Sequence, residues 1–232
     1  MIFRQLYDAE SSTYTYLLAE RRGGEALLID PVLENVPQYL QLVRELDLQL
    51  VTAVDTHIHA DHVTGSGALR ESTGCMVAMG EQTKAECLTH RFKDNETLLV
   101  DRLVVRALYT PGHTDDSYSF LLDDRVFTGD TLLIRGTGRT DFQNGDPGAQ
   151  YDSLFQRLLT LPENTLVYPA HDYEGRTSSS IWEEKRFNPR LQVNSRQAYI
   201  DQMNALDLDP PRKIDIAVPA NRYCGLPPSR AA

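Results

Sequence analysis

Apolar and polar residues fall into short blocks along most of this chain. Residues 2–7, 13–19 and 25–30 are brief segments rich in β-branched, aromatic and aliphatic side chains. They predict three strands, with Arg22-Gly23-Gly24 turning the chain between the last two and Pro31 ending the third. Leu40, Leu42, Val43 and Leu46 then recur at helical spacing and predict an amphipathic helix over 35–47. The apolar run Leu50 to Val54 reads as a buried strand, 65–72 as a helix and 76–79 as a short strand. Paired strands follow over 98–109 around Asp101-Arg102, and a hairpin joins 118–122 to 126–128 through Asp123-Asp124. Leu154, Phe155, Leu158 and Leu161 mark a helix over 149–160, and 166–168 a strand closed by Pro169. Helices are predicted over 178–186 and 195–206, after which Asp209-Pro210-Pro211 breaks the chain before an extended ending.

Strands interleaved with helices in this order fit mixed sheets packed between outer helices better than a bundle or a plain sandwich. Strand ends that feed polar loops would gather those loops at one rim, where ligand sites form. The 232 residues suit one large domain spanning 1–232, with a short helical and extended part from about 176. A net charge of −10 disfavours long contacts with nucleic acid or an anionic membrane. The opening residues have neither the basic-then-apolar order of a secretory signal nor the Arg- and Ser-rich, acid-poor character of a transit peptide. No apolar run approaches the roughly 18 residues of a membrane span. Cys75, Cys87 and Cys224 are widely spaced and form no CxxC pair. They predict neither a disulfide framework nor a thiolate metal site, but a reducing compartment, the cytoplasm.

The chemistry concentrates after the strands. Thr56-His57-Ile58-His59-Ala60-Asp61-His62 directly follows a buried run. His57 and His59 would project the same way from an extended segment, and Asp61 and His62 from beyond the turn. Neutral imidazole and carboxylate are ligands for zinc or ferrous iron. Thr110-Pro111-Gly112-His113-Thr114 places a tight turn before another histidine, and Thr128-Gly129-Asp130-Thr131 delivers a carboxylate from a strand end. Tyr168-Pro169-Ala170-His171-Asp172 completes the set, leaving only His90 of the six histidines outside these motifs.

Taken together, THIHADH, PGHT, TGDT and YPAHDY resemble the metallo-β-lactamase superfamily, over about residues 10–175. That resemblance implies an αββα sandwich, two mixed β-sheets between outer helices, with metal at one rim. LLIRGTGRTDFQ (132–143), HDYEGRT (171–177), EEKRFNPRL (183–191) and IDIAVPANRYCG (214–225) look like the persulfide dioxygenases and extend the similarity over nearly the whole chain. The resemblance implies one ferrous ion per chain held by His57, His113 and Asp130. It implies that His59, Asp61, His62 and His171, second-metal positions in hydrolytic relatives, serve as outer groups here. Glutathione persulfide and dioxygen are the implied substrates, and a homodimer is suggested. Arg139, Tyr173 and Arg190 are the best candidates for holding the anionic tripeptide, with Arg176 and Arg222 behind them. The rival is a two-zinc thioester hydrolase resembling glyoxalase II, with His57, His59, His113 and Asp130 on one metal and Asp61, His62, His171 and Asp130 on the other.

Overall fold

The computed structural model describes residues 1–227. Two six-stranded sheets lie face to face. The first runs in chain order: β1 (Ile2–Asp8), β2 (Thr13–Ala19), β3 (Glu25–Ile29), β4 (Gln49–Val54), β5 (Met76–Gly80) and β6 (His90–Phe92). Its first three strands are antiparallel and its last four parallel. The second contains β7 (Thr97–Val100), β8 (Leu103–Tyr109), β9 (Tyr118–Leu121), β10 (Arg125–Gly129), β11 (Leu166–Pro169) and β12 (Ser179–Ser180). Only β10 and β11 pair in parallel within it.

Alternation along the strands builds three apolar layers. Tyr16, Leu18, Leu27 and Ile29 point inward and meet Ala107, Phe120, Phe127 and Tyr168 of the second sheet. Leu17, Ala19 and Leu28, one residue out of phase, face outward beneath α1 (Val36–Glu45) and α2 (Ser66–Thr73). On the far side, Leu108, Val126 and Val167 pack under α3 (Pro147–Gln156), α4 (Ile181–Phe187) and α5 (Arg196–Asn204). Because both faces of each sheet are covered, β2 is buried at every position, which explains why its sequence reads as a continuous run. The result is the αββα sandwich.

Three local expectations need correction. The short β6 went unseen because three residues carry no periodicity. The helix placed at 178 starts at Ile181, after Ser179 and Ser180 pair with β11, with the Ser180 hydroxyl accepting from Glu183 N as its cap. The ending is not extended: α6 (Ile214–Asn221) forms despite Pro219 inside it. Its Ala217 and Asn221 are buried, so packing overrides a poor helical sequence. That packing also overturns the expectation of unpaired cysteines. Cys87 and Cys224, 137 residues apart, form a disulfide where the segment after α6 returns to the loop beyond β5, while Cys75 stays free and buried. Spacing along the chain cannot show such a meeting. Among the described residues, no helix is long and apolar enough to cross a membrane.

Candidate metal centre

Strands of both sheets end at one rim and deliver the polar cluster there. β4 hands the chain to Asp55 and Thr56, and the loop that follows carries His57, His59, Asp61 and His62. β8 ends before Pro111-Gly112-His113, β10 before Asp130 and β11 before His171. The imidazoles crowd together, with ring centroids 4.2 Å apart for His57 and His59, 4.3 Å for His59 and His62, and 4.9 Å for His57 and His113. Potential ligand atoms fall into three groups, each within 4.8 Å: His57, His113 and Asp130; beside it His59, Asp61, His62 and His171; and a third of Asp30, Asp55 and His59. All seven ligand-type residues from the sequence thus converge.

The donor atoms themselves indicate that a cation fits. Nδ1 of His59 and Nε2 of His62 are buried without a hydrogen-bond partner. A buried imidazole nitrogen left bare is costly, and a metal ion satisfies it. Elsewhere each ring is oriented. His113 Nδ1 donates to the Arg139 carbonyl at 2.7 Å, which leaves its Nε2 bare, 3.5 Å from Asp130 Oδ2. His57 Nδ1 lies 3.0 Å from Thr56 Oγ1. His171 bridges two carboxylates, Nδ1 to Asp130 at 2.7 Å and Nε2 to Asp61 at 2.8 Å.

Charge follows from this packing. Burial, then the neighbouring His59 and His113, hold His57 well below the imidazole range, so it stands neutral. For His171, burial opposes the charge, but Asp130 and Asp61 outweigh it and raise the ring well above its ordinary value. Burial likewise opposes charge on Asp130, yet His171 and His113 keep that carboxyl below the usual range. His59 is pushed up to about 9: burial again opposes, and Asp30 and Asp61 prevail.

Several supporting residues left no motif in the sequence. Asp30, in a left-handed conformation after β3, accepts from Thr56 N at 2.7 Å and pairs with His59 Nε2 at 3.1 Å. Thr13 Oγ1 lies 3.1 Å from both Asp61 Oδ2 and His171 Nε2. The Asp30-Pro31 step after an apolar run was the only visible signal for the first; nothing pointed to the second. The segment EEKRFNPRL braces the glycine-rich loop rather than the cluster. Glu184, fully buried, takes the Arg135 guanidinium and Arg135 N, and Asn188 donates to the Gly136 carbonyl at 2.9 Å.

The candidate substrate residues separate. Tyr173 stacks on His171, with ring planes 4° apart, and is 71% exposed. Arg139 contributes its carbonyl to His113, while its guanidinium chelates Asp141 at 2.6 and 2.7 Å and reaches the carbonyls of Leu208 and Asp209. Arg190 is turned to Thr137, donating to its carbonyl at 2.7 Å, behind the loop. Arg176 pairs with Glu174. Arg222 lines a small surface cavity of about 70 Å³ with Lys84, Asp115 and Gln143.

Comparisons with known proteins agree with this architecture. The sequence pattern of the metallo-β-lactamase superfamily matches residues 9–171. The mitochondrial persulfide dioxygenase ETHE1 of Bos taurus is 46% identical over 99% of this chain and 91% of its own length. That of Homo sapiens is 44% identical over 97% of this chain and 89% of its own. The crystal structure of ETHE1 from Myxococcus xanthus superposes with a TM-score of 0.95 at 57% identity, covering 97% of this chain and all of that one. The chain belongs to the metallo-β-lactamase superfamily and, within it, to the persulfide dioxygenase family.

Proposed function

We propose that this chain oxidises glutathione persulfide with dioxygen and water to sulfite and glutathione, using one ferrous ion held by His57, His113 and Asp130. The carrying observation is that two histidines and one carboxylate form their own group within 4.8 Å in a member of the persulfide dioxygenase family. Held by His57, His113 and Asp130, ferrous iron would supply the redox chemistry with dioxygen that zinc does not.

The protein's own groups prepare that site. The Arg139 carbonyl fixes the His113 tautomer that leaves Nε2 bare, and burial keeps His57 neutral. His59, Asp61, His62 and His171 serve as outer groups that orient water, with His171 holding a proton between two carboxylates. Tyr173 offers substrate an open ring beside His171. Arg139 would exchange Asp141 for a glutathione carboxylate, and Arg190 sustains the loop that carries it. The overall reaction balances with two protons released alongside sulfite. The compartment we propose is the cytoplasm, although the Cys87–Cys224 bond removes the support that unpaired cysteines gave it, and the mammalian relatives are described as mitochondrial.

One observation favours a second reading, a two-zinc glutathione thioester hydrolase. The buried nitrogens without a hydrogen-bond partner belong to His59 and His62, both in the neighbouring group. An oxygen electrode on iron-loaded protein, with parallel sulfite detection and a lactoylglutathione control, separates the two. Oxygen uptake matched by sulfite is expected. Thioester cleavage without oxygen uptake, on protein carrying two zinc ions, would replace the dioxygenase with the hydrolase.

A further inference from the structure

Between β10 and α3 the chain passes through Arg135-Gly136-Thr137-Gly138-Arg139, a segment that belongs to no helix or strand. Four consecutive carbonyls in it are each taken by a side chain. Gly136 O accepts from Asn188 Nδ2 at 2.9 Å, Thr137 O from Arg190 at 2.7 Å, Gly138 O from Gln150 Nε2 at 3.0 Å and Arg139 O from His113 Nδ1 at 2.7 Å. Gly138 N in turn donates to the Asp130 carbonyl at 2.7 Å. The segment therefore touches two of the proposed ligand residues, His113 at its ring and Asp130 at its backbone. It has no slack there, since a Cβ on Gly138 would lie 2.3 Å from Asp130 O and 2.8 Å from His113 Nδ1.

The entry to this segment is set from α4. Arg135 holds a left-handed conformation at φ 60°, which a residue with a side chain keeps only when its surroundings impose it. Glu184, fully buried, imposes it. One carboxylate oxygen accepts from the Arg135 guanidinium and from the Ser179 hydroxyl at 2.5 Å. The other accepts from Arg135 N at 2.9 Å and from Asn188 Nδ2 at 2.8 Å. Four donors fill the carboxylate, and the last of them is the same amide that holds Gly136 O. Burying a charge is costly, and α4 does not need it for packing, because Ile181 already anchors the helix in the apolar layer. What the charge adds is a single permitted shape for residues 135–138.

We infer that Glu184 is a positioning residue of the metal centre: acting through Arg135 and Asn188, it holds the loop where the Arg139 carbonyl takes the His113 Nδ1 proton and Gly138 N ties the Asp130 backbone. The inference rests on the centre of His57, His113 and Asp130 proposed above, though not on which cation fills it or on the persulfide reaction. Metal-free and cobalt-loaded full-length protein therefore test it. Glu184→Gln keeps the shape but turns an amide NH2 toward groups that all donate. Asn188→Ala keeps the charge and removes the donation to Gly136 O. Val43→Ala thins the apolar layer under α1, beyond the opposite sheet, and leaves the loop alone. Long-range proton–nitrogen correlation spectra of the metal-free parent should place the His113 proton on Nδ1, with the signal identified by its loss in His113→Gln. In Glu184→Gln that proton should divide between Nδ1 and Nε2. Cobalt affinity should fall ~10–100-fold in the same variant, with an altered visible absorption spectrum. Asn188→Ala should move both readouts in the same direction by a smaller factor. Val43→Ala should lower the Tm and leave both unchanged. If Glu184→Gln fails to fold, Asn188→Ala carries the comparison. A folded Glu184→Gln that keeps either the His113 tautomer or the cobalt affinity of the parent, or equal changes in Val43→Ala, overturns the inference. A parent chain that takes up no cobalt would defeat the centre itself, and the positioning role with it.

Discussion

Two of the three loops that bring histidines to the rim are held by opposite means. Between His57 and His62 the backbone hangs from side chains of Asp116, Gln143 and Asn221, while Asp30 ties the preceding Thr56. Around His113 the chain is fixed by backbone against backbone. Gly112 N donates to Thr114 O, Asp146 N to Gly112 O, and Gly138 N to Asp130 O. There the glycines leave no room: a Cβ on Gly112, at φ +139°, would strike the Gln150 backbone at the start of α3. A loop hung from side chains can be altered one contact at a time. A loop wedged between backbones admits no added atom, and it carries His113 and faces Asp130, two of the three proposed iron ligands.

The largest effect should come from a single methyl on the wedged side. In Gly138→Ala the new carbon would collide with the Asp130 carbonyl and lie 2.8 Å from His113 Nδ1. Metal retention should fall more than ~10-fold and stability by about 1–3 kcal/mol, read by metal analysis and thermal unfolding. Full metal content at an unchanged Tm would erase the contrast between the loops.

On the hung side, Asp30→Asn should do less. His59 sits at about 9 against an ordinary 6.5, so in metal-free protein its charge contributes stability below pH 6.5 that is lost as pH rises through about 9. Removing the Asp30 charge should flatten that decline. Urea unfolding of metal-free protein on either side of the window measures it, with a difference on the order of 1–3 kcal/mol expected at the acid end. An equally steep decline in the variant would show that Asp30 does not govern His59.

Arg139→Ala sharpens the contrast with the smallest change. The carbonyl that orients His113 survives the substitution, and only the guanidinium bound to Asp141 and the 208–209 carbonyls is lost. Metal content should hold while KM for glutathione persulfide rises about 10-fold, a typical cost of one charge-assisted contact. Unchanged kinetics would remove that side chain from the site.

Legibility in the sequence tracked distance along the chain. The ligand-type residues were readable because each follows its strand within a few positions, and the two-sheet pattern because alternation is local. Asp30, Asn221 and the Cys87–Cys224 pair were not, since each acts on residues 26 to 162 positions away. α6 was hidden by Pro219, and the paired state of Arg139 by its partners at 208 and 209 in a segment that reads as a break.

By itself, the order of apolar blocks and the histidines behind them determined the layered architecture and the kinds of atoms available to a metal. Tertiary structure alone decided which of those atoms are left bare, which are turned by a carbonyl or carboxylate, and what steadies the loop that carries them. The reason is physical: periodicity and composition act between neighbours in the chain, whereas the satisfaction of a buried polar atom depends on whatever the folded chain brings within about 3 Å of it.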